Sequence, residues 1–226
     1  MTSVRAPLQL PSTIALFPLN GVVLLPRGHV PLNVYEPRYI NLIDDMLGQD
    51  RLIGIIQPRA VCTDPIPNDE PLYSVGTIGR IVQFSDPGDG RYHITIEGIS
   101  RFRLLDTALS DDPIDQSRGY RMATVDFSEF QDDMNSTNDI DGPHKDRVVK
   151  LMQNYFNAKE IEADWEAIAE APYEALVSSL AMTCPFEPTE RQALLECNTH
   201  QDRANMLISL FEMHGNEGSS PPTVKH

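Results

Sequence analysis

One stretch near the N-terminus limits the fold more than any other: TIALFPLNGVVLLPRGHVPLNVYEPRYINLIDDML, from Thr13 to Leu47. Its apolar runs, Ile14–Phe17, Val22–Leu25 and Val30–Val34, are too short for helices. They are separated by Pro18, Asn20-Gly21 and Pro26, residues that end strands and make turns. Short strands are therefore predicted. Pro37 then stands where a first-turn proline is tolerated, because the N–H it lacks would have no intrahelical partner. Behind it, Tyr39, Ile40, Ile43, Met46 and Leu47 recur at helical spacing, with Gly48 as the stop.

The strand texture continues to about Phe127. Leu52–Gln57 reads as a strand buried on both faces. Arg59–Leu72 is a polar, proline-rich loop. Val75–Phe84 and Tyr92–Ile99 flank Ser85-Asp86-Pro87-Gly88-Asp89-Gly90, the strongest hairpin signal in the chain. Arg101–Leu105 and Tyr120–Phe127 add two strands across an acidic connector at Ser110–Arg118. About seven short strands and one helix predict a closed or nearly closed barrel, an arrangement that removes exposed edges.

At Ser128–Gly142 the texture changes to SEFQDDMNSTNDIDG, acidic and poor in apolar residues, which reads as a linker. Beyond it the apolar residues follow helical periods. Val148, Leu151, Met152, Tyr155 and Phe156 form one stripe. Ile161, Trp165 and Ile168 form a second, and Leu176, Val177, Leu180 and Ala181 a third. Thr189 with Gln192 reads as a capping box opening a fourth helix. A fifth begins at Thr199 and stops at Gly215. The expected organisation is a flexible lead over 1–10, a barrel over 11–127, an acidic linker over 128–143, a helical bundle over 144–214 and a disordered tail over 215–226. The fold class is α+β.

Charge narrows the function. Against 33 acidic residues there are 18 basic ones, a net charge of −15, and only four are lysines. Nucleic-acid affinity rests on Lys and Arg neutralising phosphates, so no nucleic-acid partner is expected; Arg101 and Arg103 are the nearest approach to a basic patch. Anionic membrane surfaces are disfavoured for the same reason. No apolar run approaches the roughly 20 residues a membrane helix needs. Cys62, Cys184 and Cys197 are an odd number without close pairing, which fits a reducing compartment and a cytoplasmic protein.

Four blocks in order carry a resemblance to a known family. LFPLNGVVLLPRGHVPLNVYEPRY (Leu16–Tyr39) matches a P-L-x-x-x-V-x-x-P opening. VGTIGRIVQF (Val75–Phe84) contains a V-G-T strand. DGRYHITIEGISRFRL (Asp89–Leu104) has a D-G…G-x-x-R-F form. LVSSLAMTCPFEPTERQALLECNTHQDRANMLISLFE (Leu176–Glu212) holds an E-[RK]-Q-x-L-L-E segment and a helix with Arg203. Together they resemble the N-terminal domain of Lon, the ATP-dependent protease, and the YEPRY ending is similar to stand-alone and cereblon-type LON domains. The resemblance implies a PUA-like pseudo-barrel followed by a helical bundle, and a role in holding unfolded segments, degrons or partner proteins. A full-length Lon continues into an ATPase and a peptidase. The sequence to His226 carries neither, so the recognition part alone is expected.

The chemistry agrees. A phosphate-cradling loop needs Gly-Lys, and that pair does not occur. No G-x-S-x-G elbow is present, and no lysine lies in a matching serine motif. No catalytic residue, cofactor or metal is expected. Cys184, Cys197 and His200 are the best metal candidates, yet they lack a second close pair, and the cysteines read as packing residues at helix ends. Asp44-Asp45, Asp111-Asp112 and Asp132-Asp133 read as solvated surface. His29 and His93 fall in strands as barrel residues. The candidate partner-binding residues are Tyr35, Glu36, Arg38 and Tyr39 in YEPRY, Arg101 and Phe102 in the R-F block, and Trp165, the only tryptophan, on an acidic helix.

The expectation is a non-catalytic protein-binding module with an apolar groove between its halves. Its partners would be unfolded protein or peptide segments, or a protease or ligase subunit, with a role as a proteolysis adaptor among the options. An RNA-binding module and a small-molecule binder stand as the alternatives. Oligomeric state is left open.

Overall fold

The computed structural model describes residues 10–108, 119–135 and 145–216. The acidic connector at 110–118, the second part of the acidic stretch, and the lead and tail beyond these limits lie outside the described residues. The elements are β1 (Thr13–Pro18), β2 (His29–Val34), α1 (Pro37–Leu47), β3 (Leu52–Ile56), β4 (Val75–Ser85), β5 (Tyr92–Ala108) and β6 (Arg121–Asp126). A 3-10 segment (Ser128–Met134) follows. Then come α2 (Lys145–Ala158), α3 (Trp165–Glu170), α4 (Tyr173–Thr183), α5 (Pro188–Glu196) and α6 (His200–Asn216).

The strands run in the order β2-β5-β4-β3-β1-β6, and β6 returns to pair with β5. That last pairing closes a ring of five strands, with β2 attached outside it to the first half of β5. Only β1 and β3 run parallel; every other pair is antiparallel. One strand serves three neighbours because β5 is long and irregular, with register shifts against β4 and β6. Such bulges bend a strand and increase its twist, which ring closure requires. Tyr92–Ile99 and Arg101–Leu105, expected as separate strands, are thus parts of one.

Val22–Leu25 was expected as a strand and is instead a loop buried against the sheet. It passes so close to β5 that a Cβ added at Gly98 would stand 2.2 Å from the carbonyl oxygen of Leu25. The Thr77 hydroxyl donates to the Leu24 carbonyl. Side-chain hydrogen bonding there replaces a strand ladder.

α1 seals one end of the barrel with Tyr39, Leu42, Ile43 and Met46, packed on Phe17, Ile53, Ile55, Ile94 and Ile96. The helical half has its own core around Val148, Met152, Tyr155, Leu176, Val177, Leu194, Leu207 and Phe211. Val23, Leu25 and Val75 from the barrel belong to that second core. The halves therefore share apolar packing.

The 3-10 segment occupies the first part of the stretch expected to be a linker. It is anchored by buried Phe130, because one aromatic in an acidic run is enough to dock it. α5 opens with a reciprocal capping box between Glu187 and Glu190, with Pro188 in the first turn. The Thr189–Gln192 pairing is not formed. Gln192 is buried instead, accepting from the Gln57 amide at 3.0 Å and donating to the Val75 carbonyl at 3.1 Å. Cys184 and Cys197 cap the ends of α4 and α5, as their positions predicted.

Candidate functional site: a cleft between barrel and helices

A cavity of about 630 Å³ lies where the loop into β2 faces α4. Pro26, Arg27, Gly28 and His29 form the barrel wall. Pro172, Glu174, Ala175, Ser178, Ser179, Met182 and Thr183 form the helical wall. The volume is in the range of ligand sites, about 300–1,000 Å³. Ala175, Ser178, Ser179 and Met182 share one helical face, spaced three, four and seven residues apart. Leu176, Val177 and Leu180 on the opposite face go into the core. Small side chains on the outward face leave room for the cleft.

The barrel wall is a tight turn. Arg27 N–H donates to the Gly98 carbonyl at 2.8 Å and Gly28 N–H to that of Leu25 at 2.9 Å. Arg27 takes φ of 64°, a left-handed conformation that costs a residue with a Cβ about 1–2 kcal/mol. Its guanidinium pairs with Glu174 across the cleft and donates to the Asp133 carbonyl at 2.9 Å. Gly28 lets Met182 lie against the turn, since an added Cβ would stand 2.4 Å from Met182 Sδ.

A charge network backs this end of the cleft. Glu174 Oε1 also lies 3.1 Å from His200 Nε2, and His200 Nδ1 lies 3.4 Å from Arg203 Nη1. The guanidinium can only donate, so the neutral imidazole accepts at Nδ1 and donates from Nε2. Burial, with Arg203 beside it, pushes the His200 pKa down against the pull of Glu174. Arg203 donates to the Leu194 carbonyl at 2.9 Å, and burial lowers its pKa to about 10.

Two smaller cavities lie further along β2. One of about 370 Å³ sits over Pro31, Asn33, His93, Thr95 and neighbouring residues of β2, β4 and β5. Another of about 210 Å³ is lined by Phe17, Leu19, Leu32, Tyr35, Glu36, Tyr39, Asp64 and neighbours.

The YEPRY residues divide. Tyr35 is 56% exposed, and with Glu36 it lines the small cavity. Tyr39 is stacked on Phe17 with ring centroids 4.1 Å apart, and burial raises its pKa to about 12. Arg38 lies 4.5 Å above the Tyr39 ring and is bonded to Glu36 at 2.9 Å and Asn68 at 2.7 Å, so it serves the local structure.

Arg101 and Phe102 need correction as contact residues. Arg101 is 5% exposed and Phe102 is fully buried. Arg101 grips Asp133, and Phe102 fills the barrel beside Ile14, Leu16 and Ile78. Trp165 is 37% exposed. It packs 6.0 Å from Phe156 on a helix with no buried residue, and it is not among the residues lining these cavities. His29 and His93, expected as satisfied barrel residues, are exposed. A groove between the halves was expected from the sequence, but none of the partner-binding residues named there lines this cleft. The small-residue face of α4 was the signal available for it.

Among the described residues no three His, Cys, Asp or Glu side chains gather as a metal site. Burial raises the Cys184 pKa to about 12 and shifts that of Cys197 in the same direction, so both thiols stay protonated. No helix among the described residues is long and apolar enough to cross a membrane.

Over residues 13–212 the sequence matches the ATP-dependent protease La (LON) substrate-binding domain. The chain belongs to this family. It is 32% identical over 212 residues to Lon protease 2 of Myxococcus xanthus, an alignment covering 89% of this chain and 24% of that protein. With Lon protease 2 of Sorangium cellulosum it shares 37% identity over 107 residues, 47% of this chain and 13% of the relative. The chain thus spans a quarter or less of the curated Lon proteases it matches. The fold matches a Lon N-terminal domain protein from Xanthomonas campestris with a TM-score of 0.58 and 21% identity, covering 88% of this chain and 98% of that one. It also matches the N-terminal domain of Mycobacterium avium complex Lon protease, with a TM-score of 0.61, 16% identity, and coverage of 89% and 99%. The part matched is the substrate-binding domain of the Lon proteases.

Proposed function

We propose that this LON domain holds extended segments of client polypeptides in the cleft between barrel and α4, with no nucleotide, cofactor or reaction of its own, as an adaptor or holding module in the cytoplasm. The observation that carries the reading is the cleft. It is wide enough for side chains, walled by Pro26 and Pro172, floored by Met182, and closed at one end by the Arg27–Glu174 pair. A thioether on a flexible stem adapts to different apolar groups, which suits clients that share no sequence. Barrel (11–127) and helical bundle (144–214) act in this reading as the two walls. Tyr35 and Glu36 extend the contact surface beyond the cleft.

The RNA alternative loses its footing on the same residues. Arg101 is buried and paired with Asp133 at 2.8 Å, and the partly exposed Arg103 is paired with Glu129 at 2.6 Å, which leaves no cluster of unpaired guanidinium groups at the one place the sequence approaches a basic patch.

Ala175 is exposed on the cleft wall, so Ala175→Trp fills the space without touching the core. Binding of fluorescein-labelled, reduced and carboxymethylated lactalbumin, followed by anisotropy without ATP, is expected for the unaltered protein and weakened at least about tenfold in the variant. Equal binding by the two proteins removes the cleft from the function.

A further inference from the structure

β2 pairs with β5 alone; its other edge meets no strand among the described residues. The alternation of hydrogen bonds fixes which backbone groups face that edge. Gly98 N–H donates to the Gly28 carbonyl at 2.9 Å and the Gly98 carbonyl accepts from Arg27 at 2.8 Å, so Arg27 and Gly28 together oppose Gly98 as a bulge, and beyond it the ladder resumes in the phase that Gly28 and Gly98 set. Antiparallel pairs alternate between hydrogen-bonded and non-hydrogen-bonded. With Val30 opposite Ile96, Leu32 opposite Ile94 and Val34 opposite Tyr92, those three β2 residues turn their backbone groups to β5. His29, Pro31 and Asn33 turn theirs outward. Pro31 fits this phase, since it has no N–H and occupies a position where β5 requires none. The open edge therefore offers the N–H groups of His29 and Asn33 and the carbonyls of His29, Pro31 and Asn33, all in exposed residues.

Each end of this edge runs into a cavity. Gly28 and His29 belong to the large cleft. Leu32 to Glu36 belong to the small cavity floored by Phe17 and Leu19. An edge with outward donors and acceptors and side-chain space at both ends is the arrangement of strand addition, in which the main chain supplies affinity and pockets supply selectivity.

We propose that a client polypeptide adds to the sheet along β2 as an extended strand of about five residues, spanning roughly 13 Å. One apolar side chain sits in the cleft beside Met182 and another in the cavity beside Tyr35. The segment recognised is extended, apolar at alternate residues and free of proline at its paired positions. This rests on the polypeptide-binding reading above and specifies its mode.

The test is amide hydrogen exchange of the full chain, read at residue level, with and without reduced and carboxymethylated lactalbumin. The His29 and Asn33 amides are expected to slow at least about tenfold in the complex, since each gains a hydrogen bond. Asn33→Pro deletes one outward N–H and is expected to weaken binding at least about fivefold, whereas Asn33→Ala, which keeps it, binds as before. A complex that forms with β2 exchange unchanged overturns strand addition and leaves the polypeptide-binding function standing. No complex at all overturns both. If Asn33→Pro does not fold, the exchange measurement on the unaltered chain still decides.

Discussion

Arg101 on β5 clasps Asp133 of the 3-10 segment through two hydrogen bonds, Nε to Oδ2 at 2.9 Å and Nη2 to Oδ1 at 2.8 Å, while Nη1 reaches the Leu195 and Cys197 carbonyls at 3.1 and 2.6 Å. One side chain thus joins barrel, connecting segment and the end of α5. The guanidinium also lies 4.6 Å above the Phe130 ring. Arg101 is buried and the Asp133 side chain is only 9% exposed, so removing one leaves the other charged and without its ionic partner. Arg101→Leu is expected to cost about 3–5 kcal/mol in urea unfolding, and Arg101→Leu/Asp133→Leu to recover part of it. A loss below 1 kcal/mol in the single variant would show that the clasp does not hold the halves together.

Arg27 combines a strained backbone with useful side-chain contacts, and substitution can separate the two. Arg27→Ala loses the ties to Glu174 and the Asp133 carbonyl yet keeps the left-handed strain. Arg27→Gly loses the same ties and relieves it. The glycine variant is expected to be more stable than the alanine variant by about 1 kcal/mol, measured as the difference between their urea midpoints at equal m-value. Equal midpoints would mean the turn relaxes when the side chain is gone.

The two glycines facing this loop predict opposite outcomes. At Gly98 an added Cβ meets a backbone oxygen 2.2 Å away, which the tightly held Leu25 loop cannot withdraw. Gly98→Ala is expected to cost about 2–3 kcal/mol. At Gly28 the nearest atoms are the Sδ and Cε ends of Met182, at 2.4 and 3.0 Å, although the Leu25 carbonyl is also 3.0 Å away. Met182 can swing aside into the cleft that it lines. Gly28→Ala is thus expected to keep the fold, with a loss below about 1 kcal/mol, and to weaken client binding. Thermal melts and lactalbumin anisotropy on both variants read the contrast.

The sequence showed most of the elements and little of what joins them. Local signals were legible: Pro37 opening α1, the glycine-rich turn before β5, the Leu176-Val177-Leu180 core face of α4. Arg101 was not, because a basic residue in mid-strand reads as solvent-facing until its carboxylate, 32 positions on in an acidic run, is known to fold back onto it. Val22–Leu25 misled for a related reason. Its apolar character was real, but Val23 and Leu25 are buried by the helical core and Leu24 by the barrel core, and the close approach of the loop to Gly79 and Gly98 leaves no room for a strand ladder there. The capping box slipped by two residues because Glu187 followed by Pro188 is a weaker sequence signal than threonine. A groove between the halves was expected, but its lining residues escaped notice since proline, serine, alanine and methionine have no periodicity outside their own helix.

His200 gives the protein a specific dependence on pH. The neutral ring carries its proton on Nε2, 3.1 Å from Glu174 Oε1, and accepts at Nδ1 from Arg203. A second proton would set N–H against N–H at Arg203, with Arg27 and Arg101 adding to the repulsion. The folded pKa therefore lies below the unfolded value of about 6.5. Above that pH both states hold the ring neutral and nothing is lost. As pH falls through it, the unfolded chain takes up the proton first and stability declines, levelling off once pH is below the folded value. His200→Gln keeps a donor toward Glu174 and an acceptor toward Arg203 but cannot titrate. Melting temperatures at pH 7.5, 6.5 and 5.5 are expected to fall further for the unaltered protein than for the variant, with the gap opening below about pH 6.5. Parallel curves would place the acid sensitivity in other groups. Because Glu174 also holds Arg27 across the cleft, the same decline is expected in lactalbumin affinity, and it is expected to be absent in His200→Gln.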